Sequence, residues 1–209
     1  MVSGDVFNLI EGVLSLFIFL TVWRTYQREG TASLNYFARH FAWFAVFQLI
    51  IGIRFFFSGM TPAKDVGFLI FGITFFAISL AYLPRVTFHI YRPEWEIQVF
   101  GLMLTAGAAL TVYNLANWTM LGPGVAALTW VNMVLLLAVP FLYLGWKHAE
   151  QRWKMWFIAV GFLMKATAGT IISVMSGQTV LFVAEFLTFA GLALIFVGIY
   201  KDRAFSSPE

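Results

Sequence analysis

Seven long apolar runs dominate this sequence and leave it few choices of fold. They cover residues 6–23, 34–58, 66–84, 97–118, 125–146, 156–176 and 180–200. A helix needs roughly 20 consecutive apolar residues to cross the hydrocarbon layer of a membrane. Turn-forming residues separate the runs, as in Gly122-Pro123-Gly124. The sequence therefore predicts one all-α transmembrane domain over 1–209, a bundle of seven helices arranged as one helix plus three helical hairpins.

The charge content agrees with this prediction. Charged residues make up 11% of the 209 residues, and 61% are hydrophobic, whereas a soluble domain carries about 25% charged residues. A surface that faces water needs more charges than this. Lipid must therefore cover most of the protein. Cysteine is absent, which excludes disulfides and thiolate metal sites. We expect the lipid bilayer as a partner and no nucleic acid.

The basic residues predict the orientation. If the N-terminus lies outside, Lys64 is the basic residue of the outer loops, and the inner segments hold Arg24, Arg28, Arg39, Arg85, Arg92, Lys147, Arg152, Lys154, Lys201 and Arg203. Positive residues accumulate in cytoplasmic loops. We therefore expect a multi-pass protein of the cytoplasmic membrane of a prokaryote, with the N-terminus outside and the C-terminus inside.

Four charges fit neither side because they fall within the apolar runs: Glu11, Arg54, Lys165 and Glu185. A Lys at the centre of a spanning helix costs about 2.5–3.5 kcal/mol. Such residues usually face a bundle interior or a wet cavity and mark function. At about 1.5 Å per residue, Lys165 lies about 16 Å below the outer edge of its span.

The other polar groups lie at shallower depths in the same half of the membrane. The same rise puts Asn132 at about 12 Å, Glu185 at about 9 Å, Glu11 at about 8 Å, and Arg54 and Asn114 at about 6 Å. We predict that these six residues, Lys165 included, bind a ligand or ion in a cavity that opens outward.

Residue spacing predicts which way Lys165 faces. Gly161, Lys165 and Gly169 share one face of the sixth span, and small residues mark helix contacts in membranes. We expect Lys165 to point inward and to pair with Glu185, and Arg54 to pair with Glu11. These pairs could instead be static salt bridges that hold the helices in register.

Other features are weaker. His40, His89 and His148 fall near the inner ends of their spans, where we expect interfacial side chains and no metal site. Pro140 should kink the fifth span and free a carbonyl, either as a hinge or as a tolerated membrane proline. No motif pairs a nucleophile with a base, so the sequence indicates neither an enzyme nor a cofactor.

Two functions remain open. The first is a transporter or channel for an ion or small polar solute, with proton coupling through Lys165 and Glu185. The second is a receptor, a sensor or an accessory subunit that binds a lipid, a quinone or a small ligand. Its partner would be another membrane protein or a second copy of the chain.

Overall fold

A computed structural model describes residues 2–53, 62–117, 123–174 and 178–200, and this part of the chain contains helices and no strand. Seven helical segments in it are long and apolar enough to cross a membrane. The protein is therefore a multi-pass helical membrane protein, as the apolar runs predict. The helices are α1 (Val2–Glu29), α2 (Ala32–Ile53), α3 (Pro62–Tyr91), α4 (Glu96–Asn117), α5 (Pro123–Trp130), α6 (Val139–Lys147), α7 (Arg152–Val174) and α8 (Gln178–Tyr200).

Two helices extend beyond the apolar runs from which they were predicted. The first run ends at Trp23 and the third at Pro84, but α1 continues to Glu29 and α3 to Tyr91. An apolar run marks the part of a helix that lies in lipid, and the helix continues into the polar interface. Pro84 therefore lies inside α3. Gly30, with φ of +69°, ends α1, and its N–H donates to the Tyr26 carbonyl at 2.8 Å.

The fifth span combines α5 and α6 with the wider turns between them. Residues Val131–Ala138 form a π-helix, in which the Val139 N–H donates to the Val134 carbonyl five residues back. Pro140 follows directly and has no N–H to offer the Leu136 carbonyl. The Thr87 hydroxyl of α3 donates to that carbonyl instead. The predicted free carbonyl is therefore present, and it ties the fifth span to α3.

Six spans form a closed ring, and α4 lies outside it. Around the ring, α1 is followed by α2, α3, the fifth span, α7 and α8, which packs back against α1. The fourth helix packs mainly on α3. At one end of the ring Phe7 contacts Phe182, and near the other Phe37 stacks on Phe141. We call this second end the basic end; its described basic residues are Arg24, Arg28, Arg39, Arg85, Arg92, Lys147, Arg152 and Lys154.

Candidate functional site

Lys165 lies at the centre of the ring in a box of aromatic side chains. Its side chain projects from the middle of α7, and the residue is 4% exposed. The ammonium nitrogen Nζ is 3.6 Å from the centre of the Phe44 ring, 5.3 Å from that of Phe162 and 5.4 Å from that of Phe41. A ring face attracts a cation through its quadrupole. These three rings, called here the aromatic box, partly replace the water that the ammonium loses on burial.

Close contact between α7 and α8 aims Lys165 inward, as the glycine stripe predicts. A Cβ on Gly161 would lie 2.5 Å from the Gly191 carbonyl oxygen, and a Cβ on Gly191 would lie 2.6 Å from that of Gly161. Only glycine at both positions allows the two backbones to approach this closely. Gly191 also lies beside the aliphatic stem of Lys165. The face of α7 that carries Gly161 and Lys165 is therefore fixed against α8 and the ring interior.

Glu11, on α1, brings an acidic side chain into the same interior. It is 2% exposed, and the Gln48 side-chain amide donates a hydrogen bond to its Oε2. Gly12 and Gly52 lie against leucine side chains where α1 meets α2, which lets the two helices bring Glu11 and Gln48 together.

His40 also belongs to the interior, and our expectation of an interfacial side chain is wrong for this residue. It is fully buried because α2 begins eight residues earlier, at Ala32, and turns His40 toward the ring centre. Its Nδ1 lies 3.0 Å from the Ser79 carbonyl oxygen and 2.8 Å from the Ser79 hydroxyl. A carbonyl only accepts, so Nδ1 carries the proton in that contact. The imidazole of His40 packs against all three rings of the aromatic box.

We call Glu11, Ser15, His40, Gln48, Ser79 and Lys165 the interior polar cluster. Many of its polar atoms are buried without a hydrogen-bond partner among the residues that the structure describes: Glu11 Oε1, Ser15 Oγ, His40 Nε2, Gln48 Oε1 and Lys165 Nζ. Buried polar groups in proteins are nearly always bonded, since each unpaired one costs about 1–3 kcal/mol. The cluster thus holds a donor and several acceptors whose hydrogen-bonding capacity the described residues do not use.

The remaining predicted site residues have different surroundings. Asn132 is fully buried in the π-helix, but its amide donates to the Leu128 carbonyl of its own span and contacts the Met103 sulfur of α4. The structure therefore directs it toward α4 rather than toward Lys165. Glu185 is partly buried on α8. Arg54 and the side chain of Asn114 lie outside the described residues, so their part in the site and the Arg54–Glu11 pair stay predictions.

A second polar cluster, at the basic end, joins the ends of α2, α3 and α4. Glu96 accepts hydrogen bonds from Arg85 Nε and from His89 Nδ1, both at 2.9 Å. Arg85 Nη2 also donates to the Tyr36 hydroxyl at 2.9 Å, and the guanidinium lies 3.9 Å from the centre of the Tyr36 ring. We call these four residues the basic-end cluster. Their side chains bond to one another, and Glu96 is 7% exposed.

Sequence reasoning missed His40, Gln48, Ser79 and the aromatic box. A signal for part of it is present, since Tyr36, His40, Phe44 and Gln48 recur every four residues along α2. Such a stripe lies on one helix face and indicates a polar and aromatic side turned inward. Ser79 carries no such signal, because only the packing of α3 against α2 brings it to His40.

No protein-family model, curated protein or solved structure matches this chain. Its function must therefore be inferred from the geometry of the site.

Proposed function

We propose that this protein transports an ion or small polar solute across the membrane and that proton exchange at Lys165 accompanies the movement. The observation that carries the proposal is the state of Lys165: a buried amine in an aromatic box, with no hydrogen bond to Nζ from any described residue. A charge kept at this cost, without a partner that fixes it, suits a group that exchanges its partner during function.

The distribution of charge supports an orientation for this transport. The basic end faces the cytoplasm in our proposal, because positive residues concentrate on that side of a membrane. The N-terminus and the start of α8 then lie on the outer side, in the cytoplasmic membrane. Glu11 and Gln48 lie nearer to that side than His40 does, since His40 comes two turns before Gln48 on α2. A solute or proton from outside therefore meets Glu11 first.

The donors and acceptors of the cluster suggest an order of events. Glu11 is oriented by Gln48 and keeps Oε1 available for a proton or a cationic group. Its neutralisation removes the charge that holds the proton on Lys165. The ammonium then releases its proton to the solute or to water in the pathway. Nε2 of His40, oriented by the bond from Nδ1 to Ser79, then accepts a hydrogen bond from the amine within the same aromatic box.

The test is proton movement in liposomes that enclose a pH-sensitive dye. Gradients of sodium, potassium, chloride and small zwitterions are applied in turn, and the dye response of the reconstituted protein is recorded. We expect a response to at least one solute, and its loss in Lys165→Met, which keeps the length of the side chain without the charge. Arg28→Gln removes an exposed charge at the end of α1 and should respond like the wild type. An unchanged response in Lys165→Met would contradict the proposal.

A second candidate function is a receptor, sensor or accessory subunit, and α4 favours it. This helix leaves the ring and exposes most of its apolar side chains, including Ile97 (74%) and Val112 (65%). Such an apolar face can pack against a helix of a partner protein as well as against lipid. Purification in a mild detergent separates the candidates: a stoichiometric partner favours the subunit, and a protein that is active alone in liposomes favours the transporter.

A further inference from the structure

A groove of about 420 Å³ lies on the surface of the ring, between the last turns of α3 and the fifth span. Phe88 of α3 and Leu135, Leu136 and Val139 of the fifth span form its walls. Leu135 is 60% exposed and Val139 49% exposed, so the groove opens to the outside of the bundle. In a membrane protein, an apolar groove open to the outside adjoins lipid chains.

The π-helix and Pro140 keep this groove in place. A regular α-helix returns to the same face every 3.6 residues, so its side chains would meet α3 at that spacing. The wider turns of the π-helix rotate the residues that follow it to a different face. The Thr87 hydroxyl then holds the Leu136 carbonyl on the floor of the groove. Single π-helical turns of this kind frequently occur at functional sites. The hydrogen bond from Thr87 ties the two helices on either side of the groove together.

The basic end of the groove carries positive charge. Arg92, the residue that follows α3, lines it and is paired with Glu94 at 3.6 Å, with both side chains more than half exposed. An exposed pair of this kind contributes about 0–1 kcal/mol, so a phosphate can displace Glu94. Tyr91 and Tyr143 line the same end, and amphipathic rings prefer the membrane interface.

We propose that the groove binds an anionic phospholipid, with one acyl chain along Leu135 and Val139 and the phosphate at Arg92. The match is one of charge and polarity: an apolar channel ends at a guanidinium at the level where lipid headgroups lie. A helix of a second copy would fill the groove with apolar side chains but bring no phosphate to the guanidinium. The proposal is independent of the function assigned to Lys165.

Native mass spectrometry of the detergent-solubilised protein tests this site, with phosphatidylglycerol and phosphatidylcholine as probes. We expect one saturable site for phosphatidylglycerol. Its affinity should fall about fivefold in Arg92→Gln, which is the effect of one basic residue at an anionic surface. Val139→Trp fills the groove and should abolish binding at this site. Arg28→Gln is the matched control at the same end and should bind like the wild type. Arg92→Gln alters an exposed residue, so an unchanged melting temperature checks its fold.

Two results would overturn the proposal. Equal weakening in Arg92→Gln and Arg28→Gln, or equal affinity for the two lipids, would mean that the protein binds only a general shell of lipid. A change in oligomeric state in Val139→Trp, without a change in lipid binding, would mean that a second copy of the chain occupies the groove.

Discussion

The interior polar cluster and the basic-end cluster contain similar groups but satisfy them differently. At the basic end, the Glu96 carboxylate bonds to Arg85 and His89, and Arg85 bonds also to Tyr36. In the interior, the ammonium of Lys165 faces rings, and one oxygen of Glu11 has no partner among the described residues. At the basic end Glu96 is buried, but the side chains of Arg85 and His89 are 18% and 35% exposed. Access to water does not explain the difference, because the more deeply buried cluster is the one that leaves bonds unmade.

We propose that this difference separates a structural cluster from a functional one. A buried charge whose bonds are all made fixes the helices that carry it, and its loss leaves the partners unpaired. A buried charge with unused bonding capacity stabilises little, and it is retained because something else uses that capacity. The basic-end cluster is therefore expected to contribute to stability, and the interior cluster to function at a cost in stability.

Removing the Glu96 charge should give the largest loss of stability. Glu96→Gln keeps the shape of the side chain but weakens its bonds to Arg85 and His89, and hydrogen bonds to charged groups contribute about 1.5–3 kcal/mol each. We expect the free energy of unfolding, measured by denaturation in detergent, to fall by about 3 kcal/mol. The dye response in liposomes should persist wherever the variant is folded. A variant as stable as the wild type would remove the distinction between the two clusters.

A smaller loss is expected where α7 meets α8 and positions Lys165. The new methyl group in Gly161→Ala would meet the Gly191 carbonyl oxygen, and overpacking of this kind costs about 1–3 kcal/mol. Gly101→Ala is the matched control, because no described atom lies within 4 Å of its added methyl group on α4. We expect a lower melting temperature for Gly161→Ala than for Gly101→Ala. An equal effect of both substitutions would show that α7 and α8 do not need this close approach.

The smallest effect is expected at Ser15, a member of the interior cluster whose hydroxyl is buried and has no partner among the described residues. Ser15→Ala removes a polar group that bonds to no described residue. The melting temperature should therefore stay level or rise, and the free energy of unfolding should change by less than about 1 kcal/mol. A marked fall in melting temperature would mean that the hydroxyl braces α1 and that the interior cluster resembles the one at the basic end.

The sequence predicted the spans well and the contacts inside the ring only in part. Apolar length and charge deficit determine that seven helices cross a membrane, and the Gly161–Lys165 stripe determines that Lys165 faces inward. Which groups Lys165 meets depends on packing between distant helices. Glu11 and His40 reach it from α1 and α2, and nothing in the spacing of a single helix records that. His40 was misplaced because an apolar run does not reveal how its helix is rotated.

The basic-end cluster shows the same limit. Arg85 was read only as a topology charge, and Glu96 was not singled out, because the two lie on different helices separated by a short 3₁₀ turn at Pro93–Trp95. Their bond appears only when α3 and α4 pack side by side.

The central claim is that the charges of the interior cluster serve function and not stability. The most direct measurement is the melting temperature of the double variant Glu11→Gln, Lys165→Met, which removes both charges and leaves neither alone. Lys165 Nζ makes no hydrogen bond to Glu11, so the double variant loses no bond between the two side chains. Even where buried charges are directly paired, replacing both with uncharged side chains of similar size is often neutral or stabilising by about 1–4 kcal/mol. We predict a melting temperature equal to or above that of the wild type, together with loss of the dye response in liposomes. A clear fall in melting temperature, as expected for Glu96→Gln, would contradict the account.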